Sequence, residues 1–212
     1  HMRIVSTLEN QNIEKRIAVT PEIAKKYVAL GFEITLVEKY GEHLGFRDSE
    51  YKDLGVEISI NETEILSKAN IIIQMGLLSD ENLSNLKESQ TLVGAFNPYV
   101  NKEKIEKLSK KNINVFSLEM LPRITRAQSM DILSSQANLA GYKAVIESFA
   151  NFEKAIPMMM TAAGTIPAAK VLVVGAGVAG LQAIATACLL YTSDAADDSL
   201  RVDLGGRRII KK

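Results

Sequence analysis

The sequence predicts an α/β protein whose larger, N-terminal domain is built on a parallel sheet. Short apolar runs rich in β-branched residues alternate with helical segments along the first part of the chain. Alternation at this spacing favours parallel strands joined by right-handed crossovers. From about Ser129 to Ala155 the pattern changes to one long helix, and a strand and a glycine turn follow it. The apolar positions of this helix are expected to form a buried stripe: Leu139, Tyr142, Ile146 and Phe149.

The N-terminal domain opens with a predicted strand at residues 3–7, a helix and a second strand at residues 32–39. Thr20 is the expected N-cap of the helix, and Pro21 stands at its first position, where proline is favoured. Gly31 stands where the helix is expected to stop. These signals predict the first strand, helix and strand of the sheet.

The rest of the domain continues the same alternation. Asn61 is expected to cap a helix at residues 61–69, with Glu64 at the third helical position. The apolar run at residues 70–75 is typical of a strand buried on both faces of a parallel sheet. Helix, strand, helix and strand are then predicted in turn: NLSNLKES, TLVGAF, NKEKIEKLSKK and NINVFSLE. We place the N-terminal α/β domain at residues 2–128 and the linking helix at residues 129–157.

A glycine turn marks the start of the second domain. Residues 158–170 are expected to form a loop, and residues 170–174 (KVLVV) a strand. Gly175, Gly177 and Gly180 follow with the spacing G-x-G-x-x-G. The first glycine allows a tight turn, the second lets a pyrophosphate approach the backbone, and the third lets helix and strand pack closely. In this context the motif predicts dinucleotide binding at a helix N-terminus. The alternative is a tight turn in an α/β protein of another kind.

The same motif predicts a second strand ending in an acidic residue that binds the ribose, about 20 residues further on. Asp197 and Asp198 fall in that window. The surrounding segment, LLYTSDAADDSL, contains no strand that ends at these aspartates. We therefore do not assign them as ribose ligands.

A cluster of polar residues lies at the start of the long helix, within MLPRITRAQSMDILSSQANLAGY. Its members are Arg123, Arg126, Gln128, Asp131, Ser134, Gln136 and Asn138. One interpretation is structural, because Thr125 and Gln128 have the spacing of a capping box and Asp131 suits a helix N-terminus. The other is functional, because an arginine, an amide and a carboxylate on a loop can bind a nicotinamide ribose and carboxamide. The residues alone leave both interpretations open.

Two segments carry a resemblance to a known family: PRITRAQSMDILSSQANLAGYKAVIE and MMMTAAGTIPAAKVLVVGAGVAGLQAIATA. They closely resemble the NAD(H)-binding first domain of the alpha subunits of proton-translocating NAD(P) transhydrogenases. The resemblance extends from residue 2 to about residue 188, and EKRIAVTPEIAKKYVALGFE also resembles the wider family that includes alanine dehydrogenase. It implies two α/β domains with the NAD cleft between them. The parallel-sheet N-terminal domain would be joined by a long helix to a truncated Rossmann dinucleotide-binding domain at residues 158–187.

The resemblance implies site residues in two places. Arg123, Gln128 and Asp131 match a loop that holds the nicotinamide end of NAD(H) and contacts the NADP-binding domain, so they are the implied catalytic residues. The implied cofactor contacts around this loop are Arg123, Ile124, Thr125, Gln128, Ser129, Met130, Asp131 and Ser134. Those of the phosphate-binding turn are Gly175, Gly177, Val178, Ala179 and Gly180. No metal is implied, and the hydride step needs no general acid or base from the protein.

The implied function is hydride transfer between NADH and an NADP(H) held by a partner beta subunit, coupled to proton translocation. The beta subunit would supply the NADP-binding and membrane domains, and the intact alpha subunit would be a homodimer at the cytoplasmic face of the inner membrane. We expect no nucleic-acid partner, because the formal net charge is 0. The chain itself is expected to be soluble, since no apolar run reaches the roughly 18–20 residues of a membrane span. Its one cysteine, Cys188, indicates a reducing compartment.

Alanine dehydrogenase is the main alternative within the family. That enzyme needs a lysine and a histidine to bind and deprotonate its substrate. The corresponding segments here, IIIQMGLLS and GAFNPY, contain neither residue type. His43 lies in a loop and is expected at the surface. Amino-acid oxidation is therefore disfavoured.

The resemblance ends after Ala187. Residues 188–212 resemble a translated sequencing adapter, and we expect a non-native tail there; a divergent natural tail is the alternative. One strand and one helix do not make a dinucleotide domain, because the strand at residues 170–174 lacks parallel neighbours. We therefore expect residues 168–212 to be poorly ordered, and this chain alone to bind NADH weakly or not at all. An inactive, truncated nucleotide-binding fragment is thus the alternative function.

Overall fold

A computed structural model of the chain describes residues 2–190. The chain divides into two compact units, of which the first ends at Met130 and the second begins at Asp131. The interpretation of residues 188–212 as an adapter-derived tail falls almost entirely outside the described residues, as do Asp197 and Asp198.

A six-stranded parallel sheet forms the centre of the first unit, which confirms the predicted fold class. Its strands pair in the order β3-β2-β1-β4-β5-β6, and every neighbouring pair is parallel. The order reverses between β1 and β4, and the carboxyl ends of these two strands are where open α/β sheets usually bind ligands. In chain order the strands are β1 (Arg3–Ser6), β2 (Glu33–Val37), β3 (Glu57–Ser59), β4 (Ile71–Ile73), β5 (Thr91–Gly94) and β6 (Asn114–Ser117).

The crossovers of this sheet contain five α-helices. They are α1 (Pro21–Ala29), α2 (Asp48–Asp53), α3 (Glu62–Lys68), α4 (Asp80–Ser84) and α5 (Lys102–Lys110). Both predicted caps are confirmed: the side chain of Thr20 accepts from Ile23 N, and that of Asn61 accepts from Glu64 N. Gly31 follows α1 with a φ of +87°, the left-handed conformation expected where a helix stops. The short β3 and α2 were not predicted.

Two groups of fully buried side chains hold the first unit together. One includes Leu66, Ile72 and Leu92. The other includes Leu36 and surrounds the buried tyrosines of the β2–α2 region. Burying one such leucine or isoleucine contributes about 1.5–3 kcal/mol. These two groups fix the sheet on which the carboxyl-end loops stand.

Up to residue 190, the second unit contains a long helix, a hairpin and a shorter helix. These are α6 (Ile132–Ala150), β7 (Met159–Thr161), β8 (Gly164–Ile166) and α7 (Val178–Leu190). The linking helix is thus shorter than the predicted residues 129–157. Of its expected buried stripe, Leu139 and Tyr142 are about half exposed, at 59% and 49%. Ile146 and Phe149 are partly buried, and Phe149 packs against the contact between α6 and α7. The fully buried positions of α6 are Gly141 and Val145, on the side where α7 packs.

Two further predictions for this unit were wrong. The expected loop at residues 158–170 contains the antiparallel hairpin β7–β8. The expected strand at residues 170–174 is absent, since residues 167–176 have no regular secondary structure. Leu172 and Val174 are 87% and 90% exposed. A strand forms only where neighbouring backbone satisfies its N–H and C=O groups, and no described strand lies beside this segment.

Candidate functional site

The Arg-Gln-Asp stretch lies where the first unit ends and the second begins along the chain. A short 3-10 turn, Thr125–Met130, ends the first unit, and Asp131 caps the first helix of the second. Within the turn only Ala127 is buried, at 7% exposure. Its neighbours are exposed: Arg123, Ile124, Thr125, Gln128, Ser129 and Met130. A buried alanine thus anchors a turn whose polar side chains face solvent.

Asp131 is the N-cap of α6. One of its carboxylate oxygens accepts from the backbone N–H of Ser134 at 2.9 Å, and the other accepts from the Ser134 hydroxyl at 2.6 Å. The negative charge also lies at the positive end of the helix dipole. The structural interpretation of Asp131 is therefore confirmed, but Thr125 and Gln128 do not cap this helix, because it begins seven residues after Thr125, at Ile132.

The glycine turn has the conformation that its spacing predicts. Gly175 has a φ of +111°, and the space that a Cβ of Gly177 would occupy is open. A Cβ on Gly180 would overlap the Gly175 carbonyl oxygen. Helix α7 begins at Val178, directly after Gly177, so Gly180 lies in its first turn. Gly175 thus provides the turn, Gly177 leaves space for a ligand beside the backbone, and Gly180 allows the helix to pack closely on the turn.

This turn suits a pyrophosphate group. The first N–H groups of α7, from Val178 to Gly180, have no acceptor in the preceding helical turn, as at any helix start. Gly175, Gly177 and Val178 are exposed, so an anion can reach these donors. The donor set is backbone amide, which is what the phosphates of a dinucleotide bind at a helix N-terminus. The residues present therefore fit the phosphate part of NAD(H).

Gly141 supports the glycine turn from α6. A Cβ on Gly141 would overlap the carbonyl oxygen of Ala179, in the first turn of α7. Below this contact Val145 packs against Ala183 and Ala187. Sequence reasoning missed Gly141, although a glycine in a helix interior costs about 1 kcal/mol relative to alanine and so signals a packing requirement.

The structure also forms a buried polar network at the carboxyl end of β1, which the sequence did not suggest. The Tyr40 hydroxyl accepts from the backbone N–H groups of Ala18 and Val19 at 3.1 and 3.2 Å. Its proton is therefore directed to Ser6 Oγ, 2.7 Å away. The Ser6 hydroxyl can donate to the Ile73 carbonyl oxygen at 2.6 Å or to Gln74 Oε1 at 2.9 Å. Burial raises the pKa of Tyr40, so this hydroxyl stays protonated.

Gln74 and Glu9 extend this network to the loop after β4. Gln74 Oε1 accepts from Thr7 N at 2.8 Å, and Gln74 Nε2 lies 3.3 Å from Glu9 Oε1. The same Glu9 oxygen accepts from Met75 N at 2.6 Å and from Gly76 N at 3.4 Å. Burial raises the pKa of Glu9, although the two backbone N–H groups act to lower it.

Residues 71–79 and 94–99, which correspond to the segments that carry the lysine and histidine of alanine dehydrogenase, contain neither residue type. Gln74 is part of the buried network, and His43 is exposed, with Nε2 lying 2.8 Å from the Lys15 carbonyl oxygen. Among residues 2–190, no three His, Cys, Asp or Glu side chains are grouped so that they could hold a metal ion. No helix in this part of the chain has the length and apolar character needed to cross a membrane.

Comparisons with known proteins agree on one family. The family described as Alanine dehydrogenase/PNT, N-terminal domain matches residues 7–140, and the corresponding C-terminal domain matches residues 144–199. An NAD(P) transhydrogenase subunit alpha polypeptide of Rickettsia prowazekii is 48% identical over 190 residues, covering 88% of this chain and 50% of the relative. The Rhodospirillum rubrum polypeptide of the same name is 44% identical over 191 residues, with coverage of 88% and 50%. The chain thus spans about half the length of these relatives.

Solved structures show the same fold. A transhydrogenase structure from Sinorhizobium meliloti has a TM-score of 0.83 at 42% identity and covers 89% of this chain and 56% of its own. An L-alanine dehydrogenase structure has a TM-score of 0.72 at 19% identity, with coverage of 89% and 52%. The N-terminal family match alone extends over more than half of the 212 residues. The chain belongs to the alanine dehydrogenase/PNT family.

Proposed function

We propose that this chain is the NAD(H)-binding part of a transhydrogenase alpha subunit. In the intact protein it would take part in hydride transfer between NADH and an NADP⁺ held by a beta subunit, coupled to proton translocation. The observation that carries the proposal is the turn from Gly175 to Gly180, whose conformation and exposed amides fit a pyrophosphate. The identities of 48% and 44% to proteins named transhydrogenase subunit alpha support it.

The chain's own residues would position the cofactor. Backbone N–H groups of Val178, Ala179 and Gly180, beside Gly175 and Gly177, would hold the phosphates. The nicotinamide end would be held by the Arg-Gln-Asp stretch: Arg123, Ile124, Thr125, Gln128, Ser129, Met130, Asp131 and Ser134. Bound NAD(H) would supply the hydride. The protein would contribute orientation and exclusion of water, with no general acid or base.

The Arg-Gln-Asp stretch is also the surface that we propose for the partner. Arg123 and Gln128 are exposed, so a second nucleotide-binding domain can reach them. We propose that this domain belongs to a beta subunit with NADP-binding and membrane domains. We further propose that the intact alpha subunit is a homodimer held at the cytoplasmic face of the inner membrane.

An inactive nucleotide-binding fragment is the second candidate function. The observation that favours it is the absence of a strand at residues 167–176, where Val174 is 90% exposed. In a complete dinucleotide-binding domain this strand lies inside a sheet and fixes the turn that follows it. Without that support the turn has the right local shape, and among the described residues α6 is the element that packs against it, through Gly141.

A chimeric subunit tests the first proposal. Residues 2–187 would replace the matching half of the Rhodospirillum rubrum relative, and hydride transfer from NADH to NADP⁺ would be measured with its beta subunit. We expect activity, and a loss of about 10²-fold or more for Arg123→Ala, because misplacement of a reacting group has effects of that size. Arg126→Ala is the matched control, since Arg126 is an exposed arginine of the same turn. An inactive chimera that still binds NADH, or equal effects of the two substitutions, would contradict the proposal.

A further inference from the structure

The crevice at the reversal of strand order in the first unit is the place to expect a ligand. In open α/β sheets, ligands bind outside the carboxyl ends of the strands where the order reverses. Here that place lies between β1, which ends at Ser6, and β4, which ends at Ile73. No glycine turn follows β1, whose next residues are Thr-Leu-Glu-Asn. The crevice therefore lacks the glycine turn of a nucleotide site. Glu9, in the loop after β1, lies there instead.

The carboxylate of Glu9 binds as an external anion would. Successive backbone N–H groups pointing to one side form a concavity that binds anions. The N–H groups of Met75 and Gly76 form such a pair, with Glu9 Oε1 at 2.6 and 3.4 Å. Gln74 Nε2 is a third donor at 3.3 Å. These contacts join residues 65 to 67 positions apart in the sequence, so they connect the loop after β1 with the loop after β4.

No charged side chain of the loop after β4 stabilises the Glu9 carboxylate. The groups that act on it are Glu14, Arg16 and Tyr40, all outside the loop after β4. Arg16 forms a two-point ion pair with Glu14, at 2.8 Å from Nε and 2.6 Å from Nη2. The loop after β4, residues 74–79, carries no charged side chain. The backbone amides of Met75 and Gly76 are thus the charge-stabilising partners that the loop offers to the carboxylate.

We propose that Glu9 is an internal latch, whose carboxylate occupies the amide pair of Met75 and Gly76 and keeps this crevice closed to outside anions. The proposal concerns the first unit alone and stands whether or not the proposed function is correct.

Amide hydrogen exchange in the full chain tests the latch. Glu9→Ala removes the carboxylate, and we expect exchange at Met75 and Gly76 to rise about tenfold or more, the size expected for loss of a charge-assisted hydrogen bond. Added acetate should restore protection in this variant, because a small carboxylate fits the vacated place. Glu14→Gln is the matched control and should leave both amides unchanged. Unchanged exchange in Glu9→Ala, or no effect of acetate, would overturn the latch.

A second variant decides the question if Glu9→Ala does not fold. In Glu9→Gln the amide oxygen of the new side chain can still accept from Met75 N, but the side chain cannot ionise. In the natural sequence, the amide proton shifts of Met75 and Gly76 should move as Glu9 titrates, and in Glu9→Gln they should not. Shifts that move equally in both proteins, or in neither, would overturn the latch.

Discussion

At the scale of single residues, Glu9 and Glu14 show how one short loop holds two carboxylates in opposite electrostatic conditions. Burial raises the pKa of Glu9 above its usual value of 4.5. Hydrogen bonds from Arg16 lower the pKa of Glu14. A raised pKa means that the fold prefers the protonated acid, and a lowered pKa means that it prefers the carboxylate. The two residues therefore make opposite contributions to the pH dependence of stability.

The sign of each contribution can be measured. The stability that Glu9 contributes is fully present below its unfolded pKa, near 4.5, and is lost as the pH rises through the raised folded value. That of Glu14 is present above 4.5 and is lost as the pH falls through its lowered folded value. We expect the urea midpoint of the natural sequence to fall relative to Glu9→Gln as the pH rises, and to fall relative to Glu14→Gln as the pH falls. Slopes of the same sign for both pairs would contradict this assignment.

Residue-scale features differ in how far the sequence predicts them. Thr20, Asn61 and the glycines of the turn act on backbone within a few positions of themselves, so local sequence predicts their roles. Asp131 was found in the same way, although the competing capping box at Thr125 was wrong. The contacts of Glu9 join segments more than 60 positions apart, so no local sequence pattern predicts them.

At the scale of elements, helix α6 shows where periodicity succeeds and fails. A long apolar pattern predicted the helix but only half of its buried stripe: Phe149 packs near α7, whereas Leu139 and Tyr142 are exposed. Which positions are buried depends on where α7 packs. The unpredicted strand β3 shows a related limit, since its three residues, Glu57–Ser59, are too few to establish a period. The strand predicted at residues 170–174 failed for another reason. Its sequence is suited to a strand, but strand formation requires a neighbour.

Gly141 permits a test of the contact between α6 and α7. Gly141→Ala should lower the thermal midpoint of the second unit, although alanine is favoured over glycine in a helix by about 1 kcal/mol. The new methyl group would lie 2.9 Å from the carbonyl carbon of Ala179, a backbone atom that moves only with α7. Such overpacking costs about 1–3 kcal/mol.

Ala144→Gly is the control on the exposed side of α6. It should destabilise by about 1 kcal/mol through helix propensity alone. Differential scanning calorimetry compares the two variants. If propensity decided the outcome, Gly141→Ala would stabilise the unit, and the close approach of α7 would be refuted.

At the scale of the whole molecule, the first unit contains a six-stranded parallel sheet, and the described part of the second contains a glycine turn and a two-stranded hairpin. The sequence predicted both the parallel sheet and the local form of the turn. It did not predict the hairpin β7–β8, since a run containing Met158, Thr161 and Gly164 has neither a two-residue turn signal nor strict alternation.

We expect the 212-residue chain to bind NADH weakly or not at all. The amides that we propose as phosphate donors are present, but no strand forms at residues 167–176 before them, so pre-organisation of the proposed site is incomplete. Titration calorimetry with NADH checks this, with the chimeric subunit of the proposed function as the positive control. Saturable binding at micromolar concentration by the chain alone would contradict the expectation.

The position of β1 in the sheet has a consequence for the chain during its synthesis. β1 pairs with β2 on one side and with β4 on the other. β2 ends at Val37 and β4 begins at Ile71, an interval that takes roughly 2–7 s at translation rates of about 5–20 residues per second. For those seconds β1, one of the two central strands of the finished sheet, is an open edge on the ribosome. An open edge can pair with another chain, so we expect this interval to be the period of greatest aggregation risk for the nascent protein.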